Sequence, residues 1–398
     1  MKFNELISNR LGGINFYKTS YYKFEKYSNL KNNYIKTHPD EFLIDFGIGE
    51  GDDMPPSFVL DSLSNEIFKY ENRVYADNGI DEFKKAAAFH LKEIYSLQID
   101  NPLEQINHVM GAKSALTLIP LAFISEGDIV ISTTPGYEVL ANMSMWLNAK
   151  VYKIPLLKQN NFLPDLDNIP EEIYRKTKIF SINYPNNPTG AIATKKFYEK
   201  LIEKALQYNF IIVNDNTYGA LTYNNKPLSI FNCKNAFNCA IEIHSCSKTF
   251  NMTGMRIGFV VGNKEIIDII KKVKDNIDSG QYIPIQLAAA SGIYNQKQYL
   301  DRLKNKYHTR MKKVSKLLNK YGINTKVSDG TFYLYVKVPE KFKTGDEFTR
   351  YLLDNLGIFV IPWDEVEPHV RFSMTFKINK TEDEFYKELE NRLKRLNN

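Results

Sequence analysis

Ser245, Lys248 and Arg256 stand in the stretch HSCSKTFNMTGMRIG (244–258), directly after the apolar run AIEIHS (240–245). A lysine desolvated at the end of a buried strand is a nucleophile able to form a Schiff base with a carbonyl. Asn187 in YPNNPTG follows a second strand-like run, and Asp215 and Tyr218 in NDNTYG follow a third. In α/β sheets ligands bind at the carboxyl ends of strands, so one cleft could gather an amide, a carboxylate, a phenol, a hydroxyl and an amine. A salt bridge alone would also explain a lysine near an aspartate, and the residues by themselves leave both readings open. An anion site is offered by GAKSALTLIPLAF (111–123), where a glycine and small residues open an apolar helix with its first amides facing outward.

The elements that must position these groups are legible as alternating patterns. DIVISTTP (128–135), KIFSINYP (178–185), NFIIVND (209–215), AIEIHS (240–245) and RIGFVVG (256–262) read as strands. They are continuously apolar, as strands covered on both faces should be. Helical stretches such as 194–207 fall between them, which predicts a mostly parallel α/β sheet flanked by helices. The last third changes character. One or two long helices over 285–321 precede GTFYLYVKV (330–338), a helix near 345–356, VRFSMTF (370–376) and a charged closing helix. The expected division is an N-terminal arm with part of a small domain (1–45), a large domain (46–290) and a smaller α+β domain (291–398). Residues 1 to about 45 read as a polar, irregular arm rather than a core segment.

Bulk properties narrow the class. The chain has 398 residues, 43% apolar and 25% charged, an ordinary globular composition long enough for two domains. Lys and Arg number 52 against 46 Asp and Glu, a mild net charge of +6. The densest basic cluster, Lys271-Lys272-Val273-Lys274, reads as a solvated helix face, so no nucleic-acid partner is expected. Three cysteines without CxxC spacing fit a reducing cytoplasm, and the histidine pattern suggests no metal site. No run approaches ~18 consecutive apolar residues and the N-terminus lacks a signal-peptide core, so neither a membrane span nor export is expected.

A Schiff-base lysine, an acid to face a pyridine nitrogen and an anion site are the requirements of pyridoxal phosphate. Here the sequence resembles the fold-type I aminotransferases. Ser245 and Lys248 with Arg256 eight residues on are similar to that family's lysine motif. NNPTG (186–190) is similar to its NPTG loop, DNTY (215–218) to its DxxY, and VRFS (370–373) to its C-terminal arginine strand. The four occur in family order. YADNGIDEFKKAAA (75–88), NNFLPDLDNIPEEI (160–173), NMTGMRIGFVVGN (251–263) and GTFYLYVK (330–337) further resemble the LL-diaminopimelate aminotransferase branch.

The resemblance implies roles. Lys248 would carry pyridoxal phosphate and move the substrate's α proton. Asp215 would pair with the pyridine nitrogen, Asn187 and Tyr218 would hold the ring's 3′ oxygen, and Tyr137 would stack on the ring. Ser245, Arg256 and the Ala112 and Lys113 amides would bind the phosphate. Tyr75 would reach it from a neighbouring subunit, which implies a homodimer. Arg371 would clamp the substrate α-carboxylate, helped by the Gly49 amide, with Asn187 also at the substrate. The implied reaction is a ping-pong amino transfer between an amino acid and a 2-oxo acid, LL-diaminopimelate with 2-oxoglutarate. Alternatives are an aromatic or aspartate-like donor, or a pyridoxal-dependent lyase. A DNA-binding regulator built on this fold is disfavoured, because the first 45 residues show no helix-turn-helix pattern.

The chain departs from the branch at several positions. Met255 stands where a tryptophan is usual, Asn216 and Thr217 replace two alanines, Glu50-Gly51-Asp52 follows FGIG, and LGGINFYKTSYYKF replaces the aromatic entry segment. A tyrosine of that arm, such as Tyr17, is a candidate cover for the substrate.

Overall fold

The computed structural model describes residues 2–15, 23–378 and 381–397; Tyr17 lies outside them. The chain divides into two compact units. The larger comprises residues 50–306 and 329–331, the smaller residues 1–49, 307–328 and 332–398.

The larger unit is built on a seven-stranded sheet. From edge to edge its strands are Ile106–Val109, Gly258–Val261, Ala240–Ser245, Ile211–Asp215, Thr177–Asn183, Ile129–Thr134 and Lys150–Pro155. All neighbours are parallel except Gly258–Val261, which runs antiparallel to both strands beside it. Ile212 and Val213 show why these strands read as continuous apolar runs. Side chains alternate across a sheet, so the two enter different core clusters, and both are fully buried. Helices supply the cover. One of them, Lys195–Tyr208, is capped by Thr194, whose hydroxyl accepts from the Phe197 amide at 3.1 Å. The strands Ile106–Val109 and Lys150–Pro155 were not legible beforehand, the first because its four residues, INHV, carry two polar side chains.

The smaller unit holds a three-stranded antiparallel sheet in the order Ile361–Trp363, His369–Ser373, Tyr333–Lys337, and a parallel pair, Ile44–Asp45 with Ile358–Phe359. Its helices include Gly345–Leu356 and Glu382–Lys394. The sequence correctly leads to α+β here, but the irregular arm needs correction. Residues Lys23–Thr37 form a helix whose Tyr27 and Tyr34 are buried against Leu353, Phe359, Ile361 and Trp363. Tyr27, Leu30 and Tyr34 fall on one helix face, so a polar sequence still presents an aromatic stripe.

The solvated basic face also needs correction. On the helix Lys264–Lys274, Lys274 is fully buried, ion-paired with Asp278 at 2.6 Å and donating to the Asp77 carbonyl. Among the described residues no helix is long and apolar enough to cross a membrane, and no His, Cys, Asp and Glu cluster is arranged to hold a metal ion.

Candidate active site

Three neighbouring parallel strands of the larger unit end side by side. Asn183 is opposite Asp215, and Asp215 opposite Ile243, in register. Immediately past these ends lie Asn187, Asp215 with Tyr218, and Ser245 with Lys248; Tyr137 follows the next strand, Ile129–Thr134. The larger unit thus carries every cofactor residue read from the sequence: Tyr75, Ala112, Lys113, Tyr137, Asn187, Asp215, Tyr218, Ser245, Lys248 and Arg256. Gly49 and Arg371 belong to the smaller unit.

Asp215 is buried. One of its oxygens accepts from the Thr217 amide at 3.1 Å and the Thr217 hydroxyl at 2.5 Å. Burial pushes its carboxyl above the ordinary value, with the Thr217 bonds and the charge of His244 pulling the other way. Asn183 links this residue to the next loop. Its amide nitrogen donates to the Asp215 carbonyl at 2.7 Å, and its oxygen accepts from the Asn187 amide at 2.8 Å. Neither Asn183 nor Thr217 was singled out as a site residue. Asn183 stands in the strand-like run KIFSINYP (178–185), and Thr217 stands out only as a departure from the family pattern.

Lys248 sits in the one-turn helix Cys246–Thr249, half-buried between buried Ser247 and Thr249. Ser245 caps that turn, its Oγ accepting from the Ser247 amide at 3.1 Å, which leaves its hydroxyl proton able to donate elsewhere.

Beside it, the helix Ala112–Phe123 begins at Gly111, and no side chain caps it. Gly111 has φ +78°, and a Cβ there would lie 2.4 Å from Nη2 of Arg256. The guanidinium therefore lies against the start of this helix, where amides and dipole favour an anion. Arg256 also donates to the Thr253 carbonyl at 2.8 Å and more loosely to Ser247 Oγ at 3.4 Å. Its own φ is +55°, a left-handed conformation that costs a residue with a Cβ about 1–2 kcal/mol.

In the smaller unit Arg371 is almost wholly buried, 1% exposed. Its Nη2 donates to the Gly47 carbonyl at 3.0 Å, and its guanidinium packs over the Tyr333 ring at 4.1 Å. A Cβ on Gly49 would meet Tyr333 Oη at 2.5 Å and Arg371 Nη2 at 3.4 Å, so Gly49 brings backbone close to a buried cation. A planar guanidinium held this way suits a carboxylate.

The carboxyl-end row of an α/β sheet, with a lysine, a buried acid and an anion cradle, is the ground plan of an aminotransferase. Residues 42–385 match the family Aminotransferase class I and II, and the chain belongs to it. It is similar to the LL-diaminopimelate aminotransferase of Methanocaldococcus jannaschii, 44% identical with 96% of this chain and 94% of that protein covered. It is likewise similar to that of Methanococcus maripaludis, 41% identical over 94% and 92% of the two chains. Among solved structures it is similar to substrate-bound BacF of Bacillus subtilis, with a TM-score of 0.88, 30% identity, and 94% and 95% of the two chains covered.

Proposed function

We propose that this aminotransferase carries pyridoxal phosphate on Lys248 and acts on LL-diaminopimelate and 2-oxoglutarate, giving tetrahydrodipicolinate and glutamate, a step toward lysine. The observation that carries the cofactor reading is the buried Asp215 carboxylate, its proton affinity raised by burial, in the row that also holds Lys248. Such an acid calls for a cationic partner, and a pyridinium nitrogen is one. At the other end of the row, the cradle of Gly111, the Ala112 and Lys113 amides, Ser245 and Arg256 fits a phosphate. The donor set therefore suits both ends of the group.

When bound, pyridoxal phosphate supplies an electron sink for the carbanion formed at the substrate's α-carbon. The chain's residues do the rest. Lys248 would hold the cofactor, and its Nζ as a neutral amine would be the base for the substrate's α proton. Asp215 would pair with the ring nitrogen, and Thr217 and Asn183 hold Asp215. Asn187 and Tyr218 would donate to the 3′ oxygen, and Tyr137 would lie against the ring. Arg371, with the Gly49 amide, would take the α-carboxylate of the amino acid or 2-oxo acid.

The substrate pair is supported by the identity to the two archaeal enzymes over nearly the whole chain. A homodimer is supported by a band of exposed apolar residues on the larger unit, Phe68, Tyr70 and Tyr75, all at least 75% exposed. In that dimer Tyr75 of each subunit reaches the other's phosphate. The free, buried Cys233, Cys239 and Cys246 support a cytoplasmic location.

The test is an absorbance titration of the purified yellow protein, without acceptor, using LL-diaminopimelate, glutamate, aspartate and phenylalanine separately. Conversion to the pyridoxamine form by LL-diaminopimelate at low concentration, with glutamate weaker, is expected. Conversion by phenylalanine or aspartate alone would replace the substrate while leaving the mechanism in place. Release of ammonia or pyruvate without acceptor would indicate a lyase.

A further inference from the structure

We infer that Gln281 is a positioning residue for the phosphate site, acting through Arg256; this rests on the phosphate role proposed above. Arg256 holds a left-handed backbone although it carries a side chain, so something must over-determine that conformation. Gln281 does so. Its Nε2 donates to two successive carbonyls, Met255 at 2.5 Å and Arg256 at 3.0 Å. Few side chains can satisfy two neighbouring carbonyls at once, and a primary amide with two N–H groups is one of them.

The amide is itself fixed at its other end. Gln281 Oε1 lies 2.8 Å from His108 Nε2. Because the amide nitrogen faces carbonyls, the oxygen must accept, and His108 must carry its proton on Nε2. Burial holds the His108 imidazole down at about 4, so it is a neutral donor at working pH. The Gln281 backbone is tied as well, its carbonyl accepting from Gln286 Nε2 at 2.7 Å. Gln281 is 9% exposed. The chain His108–Gln281–Arg256 therefore runs behind the anion cradle and sets the angle at which the guanidinium meets Gly111. None of these contacts touches the ring end of the site, so Gln281 governs the phosphate and not the pyridine.

That separation makes the test. The full-length protein is freed of cofactor by an amino-acid half-reaction and dialysis. Dissociation constants for pyridoxal phosphate and for unphosphorylated pyridoxal are then measured by absorbance for the parent and for Gln281→Leu. The expected result is a roughly tenfold loss of the preference for the phosphorylated ligand, about one hydrogen bond's worth of lost orientation, with pyridoxal affinity unchanged. An unchanged preference overturns the inference. An equal loss for both ligands also overturns it, showing a merely structural role. A parent with no preference for the phosphorylated ligand overturns the phosphate reading itself. If Gln281→Leu does not fold, Gln281→Met, unbranched and flexible, is read by the same three outcomes.

Discussion

Asn183 and Asp215 face each other across two parallel strands, and the Asn183 amide donates to the Asp215 carbonyl at 2.7 Å while accepting from the Asn187 amide at 2.8 Å. One buried side chain thus sets the spacing between the acid loop and the NPTG loop. Replacing it by alanine leaves a buried carbonyl and a buried N–H without their partner. Asn183→Ala is expected to cost roughly 2–4 kcal/mol, measured by urea denaturation. Asn183→Asp keeps the acceptor but sets a buried carboxyl against the Asp215 carbonyl, so it should cost at least as much as alanine wherever that carboxyl is ionised.

A side chain at Gly111 is disfavoured on two independent grounds. Its φ is +78°, and a Cβ would come within 2.4 Å of the Arg256 guanidinium. Gly111→Ala is expected to lose about 1 kcal/mol of stability from the backbone alone. It should also displace Arg256 and weaken pyridoxal phosphate binding more than pyridoxal binding. Thermal denaturation and the two dissociation constants check this.

Burial makes the Asp215 carboxylate a cost to the stability of the cofactor-free protein. Burial raises its folded carboxyl above the unfolded value of 3.8, so the folded, cofactor-free protein binds more protons than the unfolded chain. Its stability therefore falls as pH rises from the unfolded value through the raised folded one, and stays lower above it. Asp215→Asn should remove this dependence. The cofactor-free variant is expected to melt above the cofactor-free parent near pH 8 and to match it near about pH 3. Its transamination rate should drop roughly 100- to 1,000-fold. A parent whose cofactor-free melting temperature shows no such fall with pH, relative to Asp215→Asn, would contradict the assignment.

Lys274 is a fully buried charge of the larger unit. It is fully enclosed, 2.6 Å from Asp278, and donates to the Asp77 carbonyl two residues from Tyr75. Lys274→Met leaves the Asp77 carbonyl without its donor and the part-exposed Asp278 with the Gly280 amide as its remaining partner, and is expected to cost about 1–3 kcal/mol, whereas the exposed Lys272→Met should change stability by no more than ~0.5 kcal/mol. Urea midpoints of the pair distinguish the two.

Much of this protein was decided by the sequence alone. Strand ends such as Asp215 and Ser245 are visible because doubly covered strands must be continuously apolar and stop where polar chemistry begins. The lysine motif, the NPTG loop and the arginine strand are legible because each is a short contiguous run of residues. What only the tertiary structure decided is everything that joins distant segments. Asn183 reads as the polar end of a strand until the register sets it against Asp215. Gln281 lies 25 positions beyond Arg256, and Lys274 lies 197 from Asp77. The aromatic stripe of Lys23–Thr37 was hidden in a polar sequence because its burial depends on Leu353, Phe359 and Trp363, more than 300 residues away. Hydrogen-bond satisfaction and burial are properties of what surrounds a group, and a linear sequence records the group without its surroundings.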